Sequence, residues 1–135
     1  MTPQPVVHVI VAAIENDRGE VLLLQRSMQR SWAPGFWNIV SGHIEADEDS
    51  RETAFREIAE ETGMRVDLLE EFPRYDLESD GKVWRTFAFR FQTADPTPVL
   101  DAEHTAFAWV PQDKIATYAL APLIRDDLRA MGYVI

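Results

Sequence analysis

Three glutamates lie close together near the middle of the 135-residue chain, at a spacing that suggests metal chemistry. Glu57, Glu60 and Glu61 stand at positions i, i+3 and i+4, so in a helix they project from much the same side. Like charges at this spacing cost about 0.2–0.5 kcal/mol per pair, and a helix that concentrates them needs a counter-charge. Carboxylate oxygens are the ligands that Mg²⁺ prefers, together with waters and phosphate oxygens. The cluster therefore predicts a Mg²⁺ site, with Mn²⁺ as the alternative ion.

A longer pattern surrounds this cluster and spans residues 42–64. It consists of Gly, five residues, Glu, seven residues, and then Arg-Glu-Ile-x-Glu-Glu-x-Gly-Met. Glu48 precedes the helix and Arg56 adjoins Glu57, so a guanidinium group can hold a carboxylate in a fixed bidentate pose. With ordinary residue usage, the whole pattern should arise by chance in a chain of this length on the order of once in ten million.

The pattern resembles the Nudix box at every defined position, namely Gly42, Glu48, Arg56, Glu57, Ile58, Glu60, Glu61, Gly63 and Met64. The resemblance implies one domain over residues 1–135, an α/β/α sandwich with a mixed β-sheet, and hydrolysis of a diphosphate linkage. Ser41 and Asp47 stand where many members of the family have glycine.

The resemblance also implies which residues would hold the metal. Glu57, Glu60 and Glu61 would be ligands, and Glu57 or Glu60 would be available as the catalytic base. The backbone carbonyl of Ser41 or Gly42 would join the metal shell. These roles come from the family likeness and not from the spacing alone.

By the same likeness, Arg56 and Glu48 would form a pair that orients the catalytic carboxylates. A glutamate outside the box completes the metal site in similar proteins. Glu103 is the first candidate for that ligand, because the segment around it resembles the one that supplies it in triphosphate-cleaving members. Glu78 is the second candidate.

Three further residues are candidates for substrate binding. Arg26 follows the second predicted strand and is placed to bind a phosphate or a sugar. His43 adjoins Gly42, near the expected phosphates, and Trp37 precedes the box, where its ring would suit a nucleobase. Each has a purely structural alternative: a surface charge, a surface loop histidine and a core aromatic side chain.

The substrate class is suggested by residues 36–45 (FWNIVSGHIE), which resemble a segment of dihydroneopterin triphosphate pyrophosphatases. We therefore expect a (deoxy)nucleoside triphosphate or dihydroneopterin triphosphate, cleaved to monophosphate and pyrophosphate. The alternative is hydrolysis of ADP-ribose or of another nucleotide-sugar or dinucleotide. A non-catalytic nucleotide-sensing domain is a remote alternative. An isopentenyl-diphosphate isomerase is disfavoured because it uses a catalytic cysteine, which this chain lacks.

The composition limits the partners and the compartment. A net charge of −10 disfavours a nucleic-acid partner, whereas small phosphorylated molecules remain compatible because a bound divalent cation inverts the local charge. The chain has no cysteine, no basic signal-peptide region over Met1–Val7 and no apolar run longer than Val9–Ile14. We expect a soluble cytoplasmic protein without a membrane partner, and either a monomer or a homodimer.

Hydrophobic periodicity and turn residues predict strands interleaved with two helices, the pattern of a mixed-sheet α/β domain. The predicted strands are Val6–Ile14, Val21–Leu24, Phe36–Val40, Val66–Phe72, Val83–Phe91 and Thr105–Val110. The clearest helix is Asp49–Thr62, with Asp49 as N-cap and Gly63 as the terminating glycine. Pro122 is predicted as the first residue of a final helix.

Overall fold

Most of the β-branched and aromatic segments form one mixed β-sheet in the computed structural model, which describes residues 3–135. The strands are β1 (Val6–Glu15), β2 (Val21–Arg26), β3 (Trp37–Asn38), β4 (Val40–His43), β5 (Asp67–Glu71), β6 (Tyr75–Ser79), β7 (Lys82–Gln92) and β8 (His104–Val110). The helices are α1 (Ser50–Thr62) and α2 (Ile124–Ala130), with a 3₁₀ helix at Gln112–Thr117.

The centre of the sheet is the parallel pair of β1 and β7, which runs in register from Val6 opposite Val83 to Glu15 opposite Gln92. The other edge of β1 is shared between β4, which pairs with it from Val9 to Ala12, and β2, which touches it only at Glu15. On the far side of β7 lie β6 and β5. Strands β4, β1, β7 and β6 therefore lie side by side.

The two faces of the sheet are covered by different helices. Alternate side chains of β1 and β7 point to opposite faces, as the period of a strand requires. One buried cluster packs against α1 and includes Ile10, Ala12, Ala54, Ile58, Phe89 and Phe91. The other packs against α2 and includes Val11, Ala13, Ala88, Ile124 and Leu128. This arrangement confirms the predicted α/β/α sandwich.

Helix α1 has the ends that the sequence predicts. The Asp49 side chain accepts a hydrogen bond of 2.8 Å from the backbone N–H of Glu52. Gly63 ends the helix at φ 62°, and its N–H donates to the Ala59 carbonyl at 3.0 Å. A cap of the Asp49 kind stabilises a helix by about 1 kcal/mol. The caps thus fix where the acidic side of α1 begins and ends.

The structure differs from the sequence expectations in three elements. Strand β6 was not predicted, although Asp80 (φ 54°) and Gly81 (φ 71°) form the two-residue turn that joins it to β7. The predicted strand Phe36–Val40 is divided at Ile39. The prediction of Pro122 as the first residue of α2 is wrong, because Leu123 takes φ 74° at the N-cap and the helix begins at Ile124.

Within residues 3–135, none of the helices has the length and apolar character needed to cross a membrane.

Candidate active site

A cavity of about 660 Å³ extends from α1 across the sheet towards β6. Glu57 and Glu60 line it beside β4, whereas Leu77 of β6 and Trp84 of β7 line it on the other side. Because β4, β1, β7 and β6 are neighbours, the cavity crosses roughly 14 Å of sheet, or three interstrand spacings. One side of the cavity is therefore acidic, and the other is an aromatic side that carries Trp84 and Leu77 together with the charged residues Asp80 and Lys82.

Strand β4 meets α1 in a very close contact. A β-carbon added to Gly42 would lie 2.3 Å from the carboxyl carbon of Glu57 and 2.4 Å from its Oε1 atom. Gly42 lies in the strand and not among the residues of positive φ, so the space, rather than a tight turn, requires glycine here. The Glu57 carboxylate thus lies directly against the backbone of β4.

Arg56 connects the acidic residues of α1 with the loop that precedes the helix. Its Nε and Nη2 atoms donate to the two oxygens of Glu48 at 2.6 and 2.9 Å, a bidentate pair. Its Nη1 atom donates to Glu57 at 3.0 Å and to Glu60 at 3.3 Å. The hydrogen bonds from Arg56 lower the pKa of Glu48 to about 2, and the bond to Glu48 raises the pKa of Arg56. The Arg56 guanidinium group thus holds the carboxylates of Glu48, Glu57 and Glu60 on one side of the helix.

The first turn of α1 and the loop before it support this network through contacts that the sequence pattern does not reveal. The hydroxyl of buried Thr53 donates to Glu48 at 3.0 Å, and the N–H of Glu45 donates to the same oxygen at 3.2 Å. Asp47 adopts φ 72°, a conformation that favours glycine. This backbone geometry explains why glycine is frequent at that position in similar sequences.

Glu61 is buried, with an exposed fraction of 2%, and is not among the residues that line the cavity. Its Oε2 atom is buried without a hydrogen-bond partner, and its Oε1 atom is 3.7 Å from the equally unpartnered Nε2 atom of His104. The other ring nitrogen of His104 lies 2.8 Å from Asp101. Burial, followed by the neighbouring Glu57, raises the pKa of Glu61 well above its usual range. A buried carboxyl group in this state requires either a proton or a cation.

The donors of this cluster suit Mg²⁺ in their chemistry, because they are carboxylate oxygens and one of them is buried without a partner. They are not gathered around one point: among the described residues, no three acidic or histidine side chains form a ready metal shell. The reason is that Arg56 lies between Glu57 and Glu60 and bonds to both. Residues Glu57, Glu60 and Glu61 fit the ion, and Glu60, which is exposed, has the freedom to turn towards it.

The two candidates for a ligand outside the box lie in different places. Glu103 lines the cavity and pairs with Arg30 at 3.1 Å. Glu78 is exposed on β6 and does not line the cavity. The structure thus brings Glu103, and not Glu78, to the same cavity as Glu57.

Arg26 lines the cavity and is nearly buried, with an exposed fraction of 7%. Its Nε atom donates to the Trp32 carbonyl at 2.7 Å, and its guanidinium group lies 4.8 Å from the centre of the Trp32 ring. Burial, and then the nearby Arg30, lower the pKa of Arg26. Two arginines therefore adjoin the acidic side of the cavity, a composition that suits phosphate oxygens.

The aromatic residues lie differently from the sequence expectation. His43 lines the cavity as expected, but Trp37 does not, and its ring packs edge-on against Tyr118 at 5.1 Å. Trp32 and Trp84 line the cavity instead. The alternation of β7 could have identified Trp84, because it lies on the same face as the cavity-lining Thr86.

Comparison with known proteins identifies close relatives of the whole chain. Residues 4–130 match the NUDIX domain. CTP pyrophosphohydrolase of Escherichia coli strain K12 is 33% identical over 117 residues, which cover 86% of this chain and 84% of the relative. Phosphatase NudJ of the same strain is 28% identical over 127 residues, covering 90% and 81% of the two chains. The crystal structure of MutT protein from Methanosarcina mazei Go1 superposes with a TM-score of 0.84 at 27% identity and covers 98% of this chain and 96% of its own.

Proposed function

The chain belongs to the Nudix family of hydrolases, which act on phosphorus-containing anhydrides, and from that membership we propose a specific reaction. The protein is a Mg²⁺-dependent pyrophosphohydrolase that converts a (deoxy)nucleoside triphosphate into a monophosphate and pyrophosphate. Dihydroneopterin triphosphate is the second candidate substrate of the same reaction, because residues 36–45 resemble enzymes that cleave it.

The main support for a nucleotide substrate is that one cavity joins an acidic, arginine-bearing side to the aromatic side, which carries an indole ring. Glu57, Glu60 and Arg26 lie at the first side, and Leu77 and Trp84 lie at the second. A triphosphate with its nucleoside has the same division between a charged part and a flat, largely apolar part. A substrate that lacked either part would leave half of the cavity without a matching group.

The residues of the acidic side divide the chemistry between them. Arg26 and Arg30 bind phosphate oxygens, and Arg56 with Glu48 holds the orientation of Glu57. Mg²⁺ held by Glu57, Glu60, Glu61 and Glu103 would neutralise phosphate charge and favour the attack of water. Water adds to a phosphorus, the bond to the bridging oxygen breaks, and pyrophosphate leaves. Glu57 or Glu60 accepts the proton that the water loses.

The comparisons support the nucleoside triphosphate as the first substrate to test. The relative that is 33% identical is named a CTP pyrophosphohydrolase. Hydrolysis of ADP-ribose or of a dinucleoside polyphosphate would use the same acidic side but would place a second sugar, or a second nucleoside, in the cavity. These compounds therefore belong in the same experiment.

Product analysis by chromatography tests the proposal. The purified protein is incubated with CTP, dCTP, dATP, dihydroneopterin triphosphate, ADP-ribose and a dinucleoside polyphosphate, with Mg²⁺ and with chelator. We expect monophosphate and pyrophosphate from the triphosphates, and only with Mg²⁺. Turnover of ADP-ribose alone would contradict the proposed triphosphate substrate. Release of single phosphates from the triphosphates would contradict the proposed cleavage to monophosphate and pyrophosphate.

A further inference from the structure

Asp127 is a buried carboxylic acid in the cavity wall that bonds to strand β6, and the phosphate chemistry has no use for it. It lies on α2, is 4% exposed and lines the same cavity as Trp84 and Leu123. The hydroxyl of Tyr75, on β6, donates a hydrogen bond of 2.6 Å to its Oδ1 atom. These two residues are 52 positions apart in the chain, so the fold brings them together.

The second oxygen of Asp127 is the informative one. No protein group of the described chain donates a hydrogen bond to Oδ2. This oxygen is nevertheless not one of the fully enclosed polar atoms that lack a partner, so it is open to the cavity. An acceptor without a protein partner, in a residue that lines the cavity, can be satisfied by a group inside the cavity. Burial raises the pKa of Asp127 to about 7, although the hydrogen bond from Tyr75 acts in the opposite direction. A buried carboxyl group of this kind is better suited to a specific polar contact with a ligand than a charged group on the surface is.

The surroundings of Asp127 suit a flat ring. Trp84 and Leu77 of the sheet and Leu123, which precedes α2, line the same cavity as Asp127. The Trp84 indole N–H donates to the Ser79 carbonyl at 3.2 Å, which holds the ring near the turn of the β6–β7 hairpin. Aromatic and aliphatic side chains with a small number of placed polar groups are the usual composition of a specific small-molecule site.

We propose that Asp127 recognises the nucleobase of the substrate by accepting a hydrogen bond from an exocyclic amino group, and that Tyr75 positions it. This inference rests on the proposed function and specifies the base. Cytosine, adenine and guanine carry such an amino group, whereas uracil and hypoxanthine present a carbonyl oxygen in place of the amino group of cytosine and adenine. A carbonyl oxygen against an ionised carboxylate would place two acceptors face to face.

Matched pairs of substrates test the proposal. CTP differs from UTP, and ATP from ITP, in carrying an amino group where the other has a carbonyl. Assays at pH 8.5 keep Asp127 ionised, above its pKa of about 7. We expect kcat/KM to favour CTP over UTP and ATP over ITP by roughly ten- to a hundredfold, the range set by one unmade buried hydrogen bond.

Substitutions assign the preference to the residue. Asp127→Asn keeps an oxygen for Tyr75 but points an amide N–H into the cavity, so the preference for CTP should disappear or reverse. Tyr75→Phe should lower the ratio of kcat/KM for CTP to that for UTP, because it removes the group that positions the carboxyl. Asp126→Asn, at the exposed neighbour, is the matched control and should behave as wild type.

The outcomes separate this inference from the proposed function. Equal turnover of both members of each pair, or an Asp127→Asn variant that keeps the wild-type preference, would overturn the inference and leave the triphosphatase activity standing. If no triphosphate is cleaved, calorimetric binding of CMP and UMP to the wild type and to both variants decides the same question. Should Asp127→Asn fail to fold, an unchanged preference in Tyr75→Phe would overturn the positioning role.

Discussion

The place that a β-carbon of Gly42 would occupy lies 2.3 Å from the carboxyl carbon of Glu57, so strand β4 and helix α1 meet where only a hydrogen atom fits. The two residues are 15 positions apart in the sequence. Their contact sets the position of the Glu57 carboxylate relative to the cavity. In the proposed mechanism the glycine of the motif therefore contributes by the space that it leaves for Glu57 rather than by a chemical group.

Gly42→Ala should reduce kcat by at least tenfold, because the new methyl group must displace the Glu57 carboxylate. Circular dichroism should still show a folded protein, since the strain falls on one side chain. Gly19→Ala is the control: it adds a methyl group at φ 73° with nothing within 4 Å, and it should lose some stability but no activity. An active Gly42→Ala variant would show that Glu57 does not need its observed position.

Arg56→Lys should lower kcat by about tenfold or more, because an ammonium group cannot donate in bidentate fashion to Glu48 while also holding Glu57. Steady-state kinetics with CTP measure the effect. Arg51→Lys, on the same helix but in an exposed pair with Glu71, should retain wild-type rates. Equal losses in both variants would indicate a general effect of replacing a guanidinium group on the helix rather than the loss of the bonds to Glu48 and Glu57.

Sequence reasoning succeeded where the information is local. The caps and apolar stripe of α1 lie within one stretch of chain, so the helix and its acidic side were predictable with their ends. The contacts between distant segments were not. Trp37 packs on Tyr118, and Tyr75 meets Asp127, because of pairings that only the folded sheet establishes. The turn at Asp80 and Gly81 is a local signal of the β6–β7 hairpin that was overlooked.

The stability of the protein should depend on the ionisation of Asp127. Burial raises its pKa from the usual 3.8 to about 7, so the stabilisation from the neutral acid is complete below about pH 3.8 and is lost as the pH rises through 7. Between these values the wild type should lose about 1 kcal/mol per pH unit relative to Asp127→Asn, which cannot ionise. Thermal unfolding at pH 5 and pH 8 measures this difference. If the stability of Asp127→Asn relative to the wild type did not increase with pH, the raised pKa of buried Asp127 would be contradicted.

Mg²⁺ should raise the midpoint of thermal unfolding, because an ion that binds only the folded state stabilises it. At a hundred times its Kd the stabilisation is about 2.7 kcal/mol. Glu61→Gln should lose most of this increment, since it removes the charge of the buried carboxyl whose oxygen lacks a partner. Glu71→Gln changes an exposed glutamate and should keep the full increment. If Mg²⁺ raised the unfolding midpoint of Glu61→Gln as much as that of the wild type, the ion would not be bound by Glu61.

The most direct test of the proposed chemistry is the rate of pyrophosphate release from CTP by the wild type and by Glu57→Gln, each over a range of Mg²⁺ concentrations. Gln keeps the shape of the side chain but removes the charge that stabilises the transition state. We expect Mg²⁺-dependent release of CMP and pyrophosphate by the wild type and a loss of roughly a hundredfold or more in kcat for the variant. Glu60→Gln should behave in the same way. Wild-type rates in Glu57→Gln, or release that persists in chelator, would contradict a Mg²⁺-dependent reaction centred on the acidic side of α1.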